Sequence, residues 1–214
     1  MHSLDSSKGS AWAALFCPAI MSAVVSGFAC AAQASDLGRV NIGAAVPAFV
    51  AKGADGRQHR LKDFAGKLVV LEWTSPVCPF TAVKYTSGSI QDLQRYAAAH
   101  DVIWLSIDTA APDRAGYLTA AAARERIVNT QATITAFLFD PDGRIGRRYG
   151  SKTTPSFFVV DRDGKLAYQG AMDDQVFADQ TAARQYLKSA LDDLFAGRPV
   201  RQPETLPQGC AVEY

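Results

Sequence analysis

The chain has 214 residues, of which 48% are hydrophobic and 20% are charged. This balance is typical of a soluble globular protein with a core, and the length allows one ordinary domain of about 100–200 residues plus extra segments. The formal net charge is only +1. No global field therefore draws the protein to nucleic acid or to anionic lipid, which argues against nucleic-acid binding.

Residues 1–34 have the features of an export signal. Lys8 supplies a weak positive charge, residues 11–32 carry no charge, and Ala32-Gln33-Ala34 fits a small-x-small cleavage site. The uncharged stretch is also near the length of a membrane span, so an uncleaved anchor is the alternative. Its many small residues and Pro18 favour cleavage. We expect an exported, periplasmic (extracytoplasmic) protein.

The first buried strand is predicted at Leu68–Trp73, an apolar run bounded by turn signals. Before it, Asp55-Gly56 is typical of a hairpin turn between short strands. After it comes a loop at residues 74–79, and then a helical stretch over residues 80–100. Ser87-Gly88-Ser89 is expected to break or kink that helix.

Further strands and helices alternate along the rest of the chain. Strands are predicted at residues 102–107, 136–139, 157–160 and 166–169, and helices at 114–128, 144–149 and 180–195. This order predicts an α/β fold with a central mixed sheet flanked by helices, closed by an antiparallel hairpin. The domain is expected to span residues 35–196. The tail, residues 197–214, has three prolines and no periodicity, so it either wraps the surface or is mobile.

The cysteines restrict the chemistry. Cys17 and Cys30 lie in the predicted export segment, so only Cys78 and Cys210 remain in the mature chain. In an oxidising compartment two cysteines suggest one disulfide, which is either structural or redox-active.

Cys78 lies where a buried strand is followed by a helix. Free N–H groups and the helix dipole stabilise a thiolate there, and such cysteines have pKa values lowered from about 8.5 to roughly 3.5–7.5. Pro79 suits the first helical turn, and Thr74 and Ser75 offer hydroxyl donors. A buried, inert cysteine is the alternative. The position favours the reactive interpretation, because the strand ends of an open α/β sheet face its cleft.

Two segments of the chain stand out: Leu68–Trp73 with its Cys78-Pro79-Phe80 loop, and Tyr149-Gly150 with Thr154-Pro155-Ser156-Phe157-Phe158-Val159-Val160-Asp161. Together these two segments resemble the thioredoxin-like redoxins. That superfamily includes alkyl hydroperoxide reductase/thiol-specific antioxidant proteins and exported thiol–disulfide proteins. The resemblance covers about residues 45–195 and implies a thioredoxin-like fold. It also implies that Pro155 follows a cis bond from Thr154 and lies against the reactive cysteine, whereas the residues alone favour an ordinary trans proline.

The chain departs from both patterns of that superfamily. Thr81 stands where the second thiol of a thioredoxin Cys-x-x-Cys would be. In the peroxiredoxin pattern Pro-x-x-x-Thr-x-x-Cys, the first two named positions are here Leu71 and Ser75. Arg124 and Arg148 are the candidates for a catalytic arginine.

The resemblance predicts a thiol-dependent oxidoreductase. The thiolate of Cys78 would reduce a peroxide or exchange with a disulfide, Pro155 would shape the cleft, and a sulfenic acid on Cys78 would condense with Cys210 as resolving thiol. A single nucleophile with a Ser/Thr-rich loop suits peroxide reduction better. The alternative is a non-catalytic redoxin-fold binding protein with a structural Cys78–Cys210 disulfide.

No cofactor or metal is predicted, because the histidines are isolated and the two mature cysteines are far apart in the sequence. The expected partners are a peroxide or protein disulfide and a thiol electron donor. Membrane contact is expected only if the N-terminal segment stays uncleaved. Glu72, in an otherwise apolar strand, is either at a sheet edge or a buried carboxylate.

Overall fold

A computed structural model describes residues 39–175 and 183–214 of the chain. The predicted export segment, residues 1–34, lies outside the described residues. The strands are β1 Val50–Gly53, β2 Gln58–Arg60, β3 Val69–Thr74, β4 Ile103–Asp108, β5 Ala136–Phe139, β6 Thr153–Thr154, β7 Ser156–Val160, β8 Leu166–Gly170 and β9 Cys210–Ala211. The helices are α1 Pro79–Thr86, α2 Ser89–Ala98, α3 Ala120–Asn129, α4 Arg144–Tyr149 and α5 Tyr186–Phe195, with a 3-10 helix at Leu61–Phe64.

The predicted mixed sheet is present, and β3 lies inside it. Seven strands follow the order β2-β1-β5-β4-β3-β7-β8. The pairings of β3 with β4 and of β4 with β5 are parallel, and the other four are antiparallel. The end of β3 therefore lies between a parallel neighbour and the closing β7–β8 hairpin, which places the loop after β3 beside the start of β7.

Alternating side chains of β3 supply two cores, one on each face of the sheet. Leu71 and Trp73 pack on the face that also holds Tyr149 of α4. Val70 packs on the opposite face, with residues of α2 and α5 such as Leu93. Because both faces are covered, the strand is apolar nearly throughout, as expected for a buried parallel strand.

The break predicted at Ser87-Gly88-Ser89 is confirmed: the helical stretch at residues 80–100 is two helices, because Gly88 adopts a left-handed φ of 79° between them. Two other helix predictions need correction at their boundaries. The helix predicted from residue 114 begins at Ala120, where the Thr119 hydroxyl accepts a hydrogen bond from the Ala122 N–H. The last helix begins at Tyr186, not at 180, and part of the earlier range lies outside the described residues.

Glu72 is a buried carboxylate and not an edge residue, with 0% of its surface exposed. Its Oε2 accepts hydrogen bonds from Trp104 Nε1 and Ser106 Oγ, both at 2.7 Å, and its Oε1 accepts one from Tyr85 Oη at 3.0 Å. Burial raises its pKa, and the hydrogen bonds from Trp104, Ser106 and Tyr85 oppose that rise. The carboxylate therefore joins β3 and β4 to α1 below the cysteine loop.

The tail is packed against the domain. Its start is fixed by Arg198 and Arg201, which donate to the buried carboxylate of Asp193 on α5 at 2.9 and 3.0 Å. It then passes the edge of β8, where the N–H of Gln169 donates to the Pro203 carbonyl at 2.9 Å. Of the two alternatives for the tail, wrapping the surface is the one observed. No helix within the described ranges is long and apolar enough to cross a bilayer.

Replacing Glu72 by leucine is expected to lower the free energy of unfolding by roughly 2–4 kcal/mol, because two buried donors, Trp104 Nε1 and Ser106 Oγ, lose their acceptor. Urea unfolding followed by tryptophan fluorescence measures this. Glu125→Leu, at an exposed position of α3, is the matched control and should change stability by less than about 0.5 kcal/mol. Equal effects of the two substitutions would contradict the role given to Glu72.

Candidate functional site

Cys78 occupies the predicted position between β3 and α1. It is the N-cap residue of α1, with φ −81° and ψ 118°, and Pro79 fills the first helical position. Its side chain is only 1% exposed. The helix N–H groups that favour a thiolate are therefore present, but the sulfur is covered.

Cys210 covers it. The two cysteines form a disulfide with Cα atoms 5.8 Å apart, across 132 positions of sequence. The Sγ of Cys78 also lies 3.0 Å from the carbonyl oxygen of Thr154. The Thr154–Pro155 peptide bond is cis, as the resemblance implied.

The tail approaches the site as a short strand. β9 pairs antiparallel with β6, so that Cys210 lies opposite Thr154 and Ala211 opposite Thr153. Gly209 approaches so closely that a Cβ atom built there would be 2.1 Å from the Thr154 carbonyl oxygen. Only glycine fits at that position while β9 stays in place.

Contacts on both sides of Cys210 hold this strand. On one side, Thr205 donates its N–H to the Gln169 carbonyl at 3.1 Å. On the other, the N–H of Val212 donates to the Lys152 carbonyl at 3.0 Å, and the hydroxyl of Tyr214 donates to the Ser151 carbonyl. Docking of the tail therefore rests on several contacts besides the covalent bond.

The predicted cleft residues Thr74, Thr81 and Thr154 are buried, and among the described residues their hydroxyls have no hydrogen-bond partner. Thr81 is the third residue of α1, one turn after the N-cap Cys78. Ser75 lies in the preceding loop and is partly buried. These three hydroxyls belong to the elements around Cys78, namely the end of β3, the first turn of α1 and β6.

One ion pair near the site was not anticipated. Lys84 of α1 donates to both carboxylate oxygens of Asp173 at 2.7 Å and to the Gln175 carbonyl at 2.6 Å. Lys84 and Asp173 are each 6% exposed, and together with Pro155 they line a small cleft. The pair joins α1 to the segment after β8. A lone lysine in a helical pattern gives no signal of this, because most such lysines are solvated.

Asp108 is a second residue that the sequence reasoning missed. It ends β4 directly opposite Thr74 of β3 and is 3% exposed. Burial raises its pKa to about 7, and the charge of Arg126 opposes that rise. Its position after a buried strand was the available signal, since strand ends of parallel sheets collect functional side chains.

Neither candidate arginine reaches the disulfide. The guanidinium of Arg124 donates to the Ala54 carbonyl at 2.6 Å, and that of Arg148 donates to the Ala48 carbonyl at 3.0 Å. Both carbonyls flank β1, which β5 and β4 separate from β3. In residues 39–175 and 183–214, no group of three His, Cys, Asp or Glu side chains is arranged to hold a metal ion.

Residues 41–187 match the family model Redoxin, which covers more than half of the chain. The chain belongs to the Redoxin family. This confirms the resemblance drawn from the cysteine loop and the Thr-Pro strand. No curated protein sequence matches this chain closely enough to be reported as a relative.

Solved structures share the fold at low sequence identity. An uncharacterized conserved protein from Geobacillus kaustophilus is 23% identical, with a TM-score of 0.73, and the match covers 81% of this chain and 92% of that one. A hypothetical protein from Sinorhizobium meliloti 1021 is 20% identical, with a TM-score of 0.73 and coverage of 82% and 95%. A protein assigned as the thiol:disulfide interchange protein DsbE from Chlorobium tepidum is 23% identical, with a TM-score of 0.53 and coverage of 74% and 97%. These likenesses show the thioredoxin-like fold of this redoxin.

The raised pKa of Asp108 makes stability depend on pH. Its pKa is about 7 in the folded chain and about 3.9 when unfolded, so the folded state binds more protons between these values. Stability should fall as the pH rises from about 4 to 7, by at most roughly 4 kcal/mol, and level off above 7. The substitution Asp108→Asn should remove this pH-dependent part of the stability.

Chemical unfolding at pH 4, 5, 6, 7 and 8 measures the slope of the free energy of unfolding against pH. Glu72 and Asp140, whose pKa values burial also raises, stay in both proteins, so only the difference between the two slopes is diagnostic. Asp113→Asn, at an exposed position, is the control. Parallel stability curves for the parent and Asp108→Asn would show that Asp108 titrates normally.

Proposed function

We propose that this redoxin is a thiol-dependent oxidoreductase in which Cys78 and Cys210 alternate between disulfide and dithiol. The observation that carries the proposal is the disulfide itself, which joins the N-terminus of α1 to a tail strand. Cys78 has the helix-terminal position that activates a thiol. Thr81, one turn after Cys78, has a buried hydroxyl without a hydrogen-bond partner among the described residues, which agrees with a thiolate at that helix end.

The reaction with a protein disulfide has two steps. The Cys78 thiolate attacks one sulfur of the substrate disulfide, forms a mixed disulfide and releases the other substrate thiolate. The Cys210 thiolate then attacks the Cys78 sulfur, which releases the second substrate thiol and forms the Cys78–Cys210 disulfide. An external dithiol donor, whose two thiols are oxidised to a disulfide, reduces the protein again.

Reduction of a peroxide would use the same two cysteines. The Cys78 thiolate attacks the peroxide oxygen, the O–O bond breaks, and an alcohol or water leaves as Cys78 becomes a sulfenic acid. Condensation with the Cys210 thiol forms the disulfide and releases water. The candidate arginines Arg124 and Arg148 are engaged beside β1, which gives this route less support.

A protein disulfide is the better-supported substrate. The site already holds an extended cysteine-bearing segment, because β9 pairs with β6 while Cys210 is bonded to Cys78. An extended segment of a partner protein would present the same groups after β9 leaves β6, while the contacts of Thr205 and Tyr214 keep the tail attached to the domain. The DsbE from Chlorobium tepidum, similar in fold, is assigned to thiol:disulfide interchange, which agrees with this choice.

Cys210 serves as the resolving thiol in this scheme. The tail is held by Thr205 before it and by Val212 and Tyr214 after it, so Cys210 stays near Cys78 when the disulfide opens. Such tethering makes its attack intramolecular and raises its effective concentration.

Export fits this chemistry, because disulfides persist in oxidising compartments. We propose that residues 1–34 direct the chain to the periplasm or an equivalent space, where the dithiol donor is also present. No cofactor is needed for either route, since both reactions use only cysteine sulfur.

A structural disulfide is the competing interpretation, favoured by the burial of Cys78, which is 1% exposed. The two interpretations differ in whether the folded protein can open and re-form the bond. The deciding experiment reduces the full-length chain and then adds insulin, as a protein disulfide, or hydrogen peroxide. Peptide mapping by mass spectrometry follows Cys78 and Cys210 separately from the N-terminal cysteines.

We expect one equivalent of insulin disulfide to be reduced as Cys78–Cys210 re-forms. Cys78→Ser should abolish this reaction, and Cys210→Ser should stop it at a mixed disulfide with insulin. The double variant Cys17→Ser/Cys30→Ser is the control and should react like the parent. If Cys78→Ser keeps its activity, or if Cys78 alkylates with the unperturbed pKa of about 8.5, the catalytic proposal fails.

The close approach of Gly209 gives a further prediction. In Gly209→Ala the Cβ would meet the Thr154 carbonyl oxygen, so β9 cannot dock and Cys210 loses its position. Resolution of a Cys78–glutathione mixed disulfide should slow by roughly tenfold, equivalent to about 1.4 kcal/mol of lost docking. Leu206→Ala, 86% exposed in the same tail, should resolve at the parent rate. An unchanged rate in Gly209→Ala would mean that the tail is not positioned by β6.

A further inference from the structure

A second concave site lies away from the cysteines. It is a groove of about 810 Å³ between β1, the segment from β2 into the 3-10 helix, and α4. Neither Cys78, Pro155 nor any residue of the tail lines it. Its volume is in the range of about 300–1,000 Å³ that is usual for small-molecule sites.

The groove concentrates positive charge. Its lining includes the cationic side chains Lys52, Arg60, Lys62, Arg144, Arg147 and Arg148 and only two carboxylates, Asp140 and Asp142. The whole chain has a net charge of only +1, so this excess belongs to the groove and not to the protein surface in general. Such local fields attract anions of complementary size.

The two carboxylates do not cancel this charge. Asp140 is turned inward, where it accepts hydrogen bonds from the N–H groups of Ile145 at 3.0 Å and Gly146 at 2.9 Å and from the Thr109 hydroxyl at 2.9 Å. Asp142 pairs with Arg144 at 2.6 Å. Arg147 is also engaged, because it donates to the Asp142 carbonyl at 2.6 Å and lies over the ring of Tyr214. Lys52, Arg60, Lys62 and Arg148 therefore remain for a ligand.

These four cations stand on two sides of the groove. On the β1–β2 side, Lys52, Arg60 and Lys62 form no ion pair within residues 39–175 and 183–214. On the α4 side, Arg148 is held by its hydrogen bond to the Ala48 carbonyl. That bond uses one of the five N–H donors of its guanidinium, so further donors face a ligand from a fixed position.

The base of the groove is apolar. Core side chains Phe49, Ile145 and Tyr149, each less than 10% exposed, lie beneath it, and Val50 at its edge is 52% exposed. A hydrated inorganic ion would leave this apolar surface in contact with water. A ligand with an apolar body covers the base and brings its anionic group to the cationic rim.

We infer that this groove binds a small organic anion with an apolar chain or ring and a carboxylate or phosphate head. The concave shape suits a separate small molecule and not a flat lipid surface. The inference does not rest on the redox function, since none of the residues that carry it touches the disulfide.

Isothermal titration of the full-length chain tests it with four probes that share an eight-carbon chain: octanoate, octyl phosphate, 1-octanol and octyltrimethylammonium. At least one of the two anions should bind saturably, and the neutral and cationic probes should bind at least about tenfold more weakly. The tighter anion identifies the head group as carboxylate or phosphate.

The double variant Arg60→Gln/Lys62→Gln should weaken anion binding by roughly tenfold, since one partly buried and one exposed cation of the groove are removed. The control variant Arg95→Gln/Arg114→Gln removes two exposed cations outside the groove and should bind like the parent. Both variants should keep the parent circular dichroism and the parent rate of Cys78–Cys210 oxidation. Equal binding of anionic and neutral probes, no saturable binding of either anion, or anion binding unchanged in the groove variant would overturn the inference.

Discussion

The pairing of the tail with the strand before Pro155 is the constraint on which the site depends. The N-terminus of α1 provides a place where a thiolate is stable, but it provides no second thiol, since Thr81 takes that position. Strand β9 brings the missing thiol from the far end of the chain and holds it opposite Thr154. The disulfide keeps β9 next to β6, and the pairing of β9 with β6 keeps Cys210 next to Cys78.

Buried polar groups in the surrounding fold fix the elements that carry the disulfide. Glu72, Lys84 and Asp108 are buried charged or titratable groups that lie near the cysteine loop or on the elements that carry it. A buried polar group is tolerated only when its partners are in place, so such groups specify one packing of the elements around them. The hydrogen bonds of Glu72 and the ion pair of Lys84 thus fix α1 against the sheet and against the segment after β8.

Local patterns predicted the fold and the position of Cys78, because apolar runs and turn residues act within a few positions of one another. The cis bond at Pro155 came from resemblance alone. The docking of Cys210 was beyond local reasoning, since it depends on Gly209 fitting against a carbonyl 55 positions earlier in the chain. The same holds for the basic groove, where Arg60 and Arg148 meet only after folding. Cys78 and Cys210 could be paired because they are the two cysteines of the predicted mature chain. Other long-range pairings carry no periodic signal, so single-sequence reasoning names their residues without placing them together.

The central claim is that Cys78–Cys210 is a working redox couple in the folded protein. Equilibrating the chain in glutathione buffers under native conditions, and quantifying the two cysteines by alkylation, measures its reduction potential directly. The account predicts reversible reduction at a potential above about −300 mV while the circular dichroism of the domain is retained. A potential below that value, or reduction only when the domain unfolds, would make the disulfide a structural bond and contradict the account.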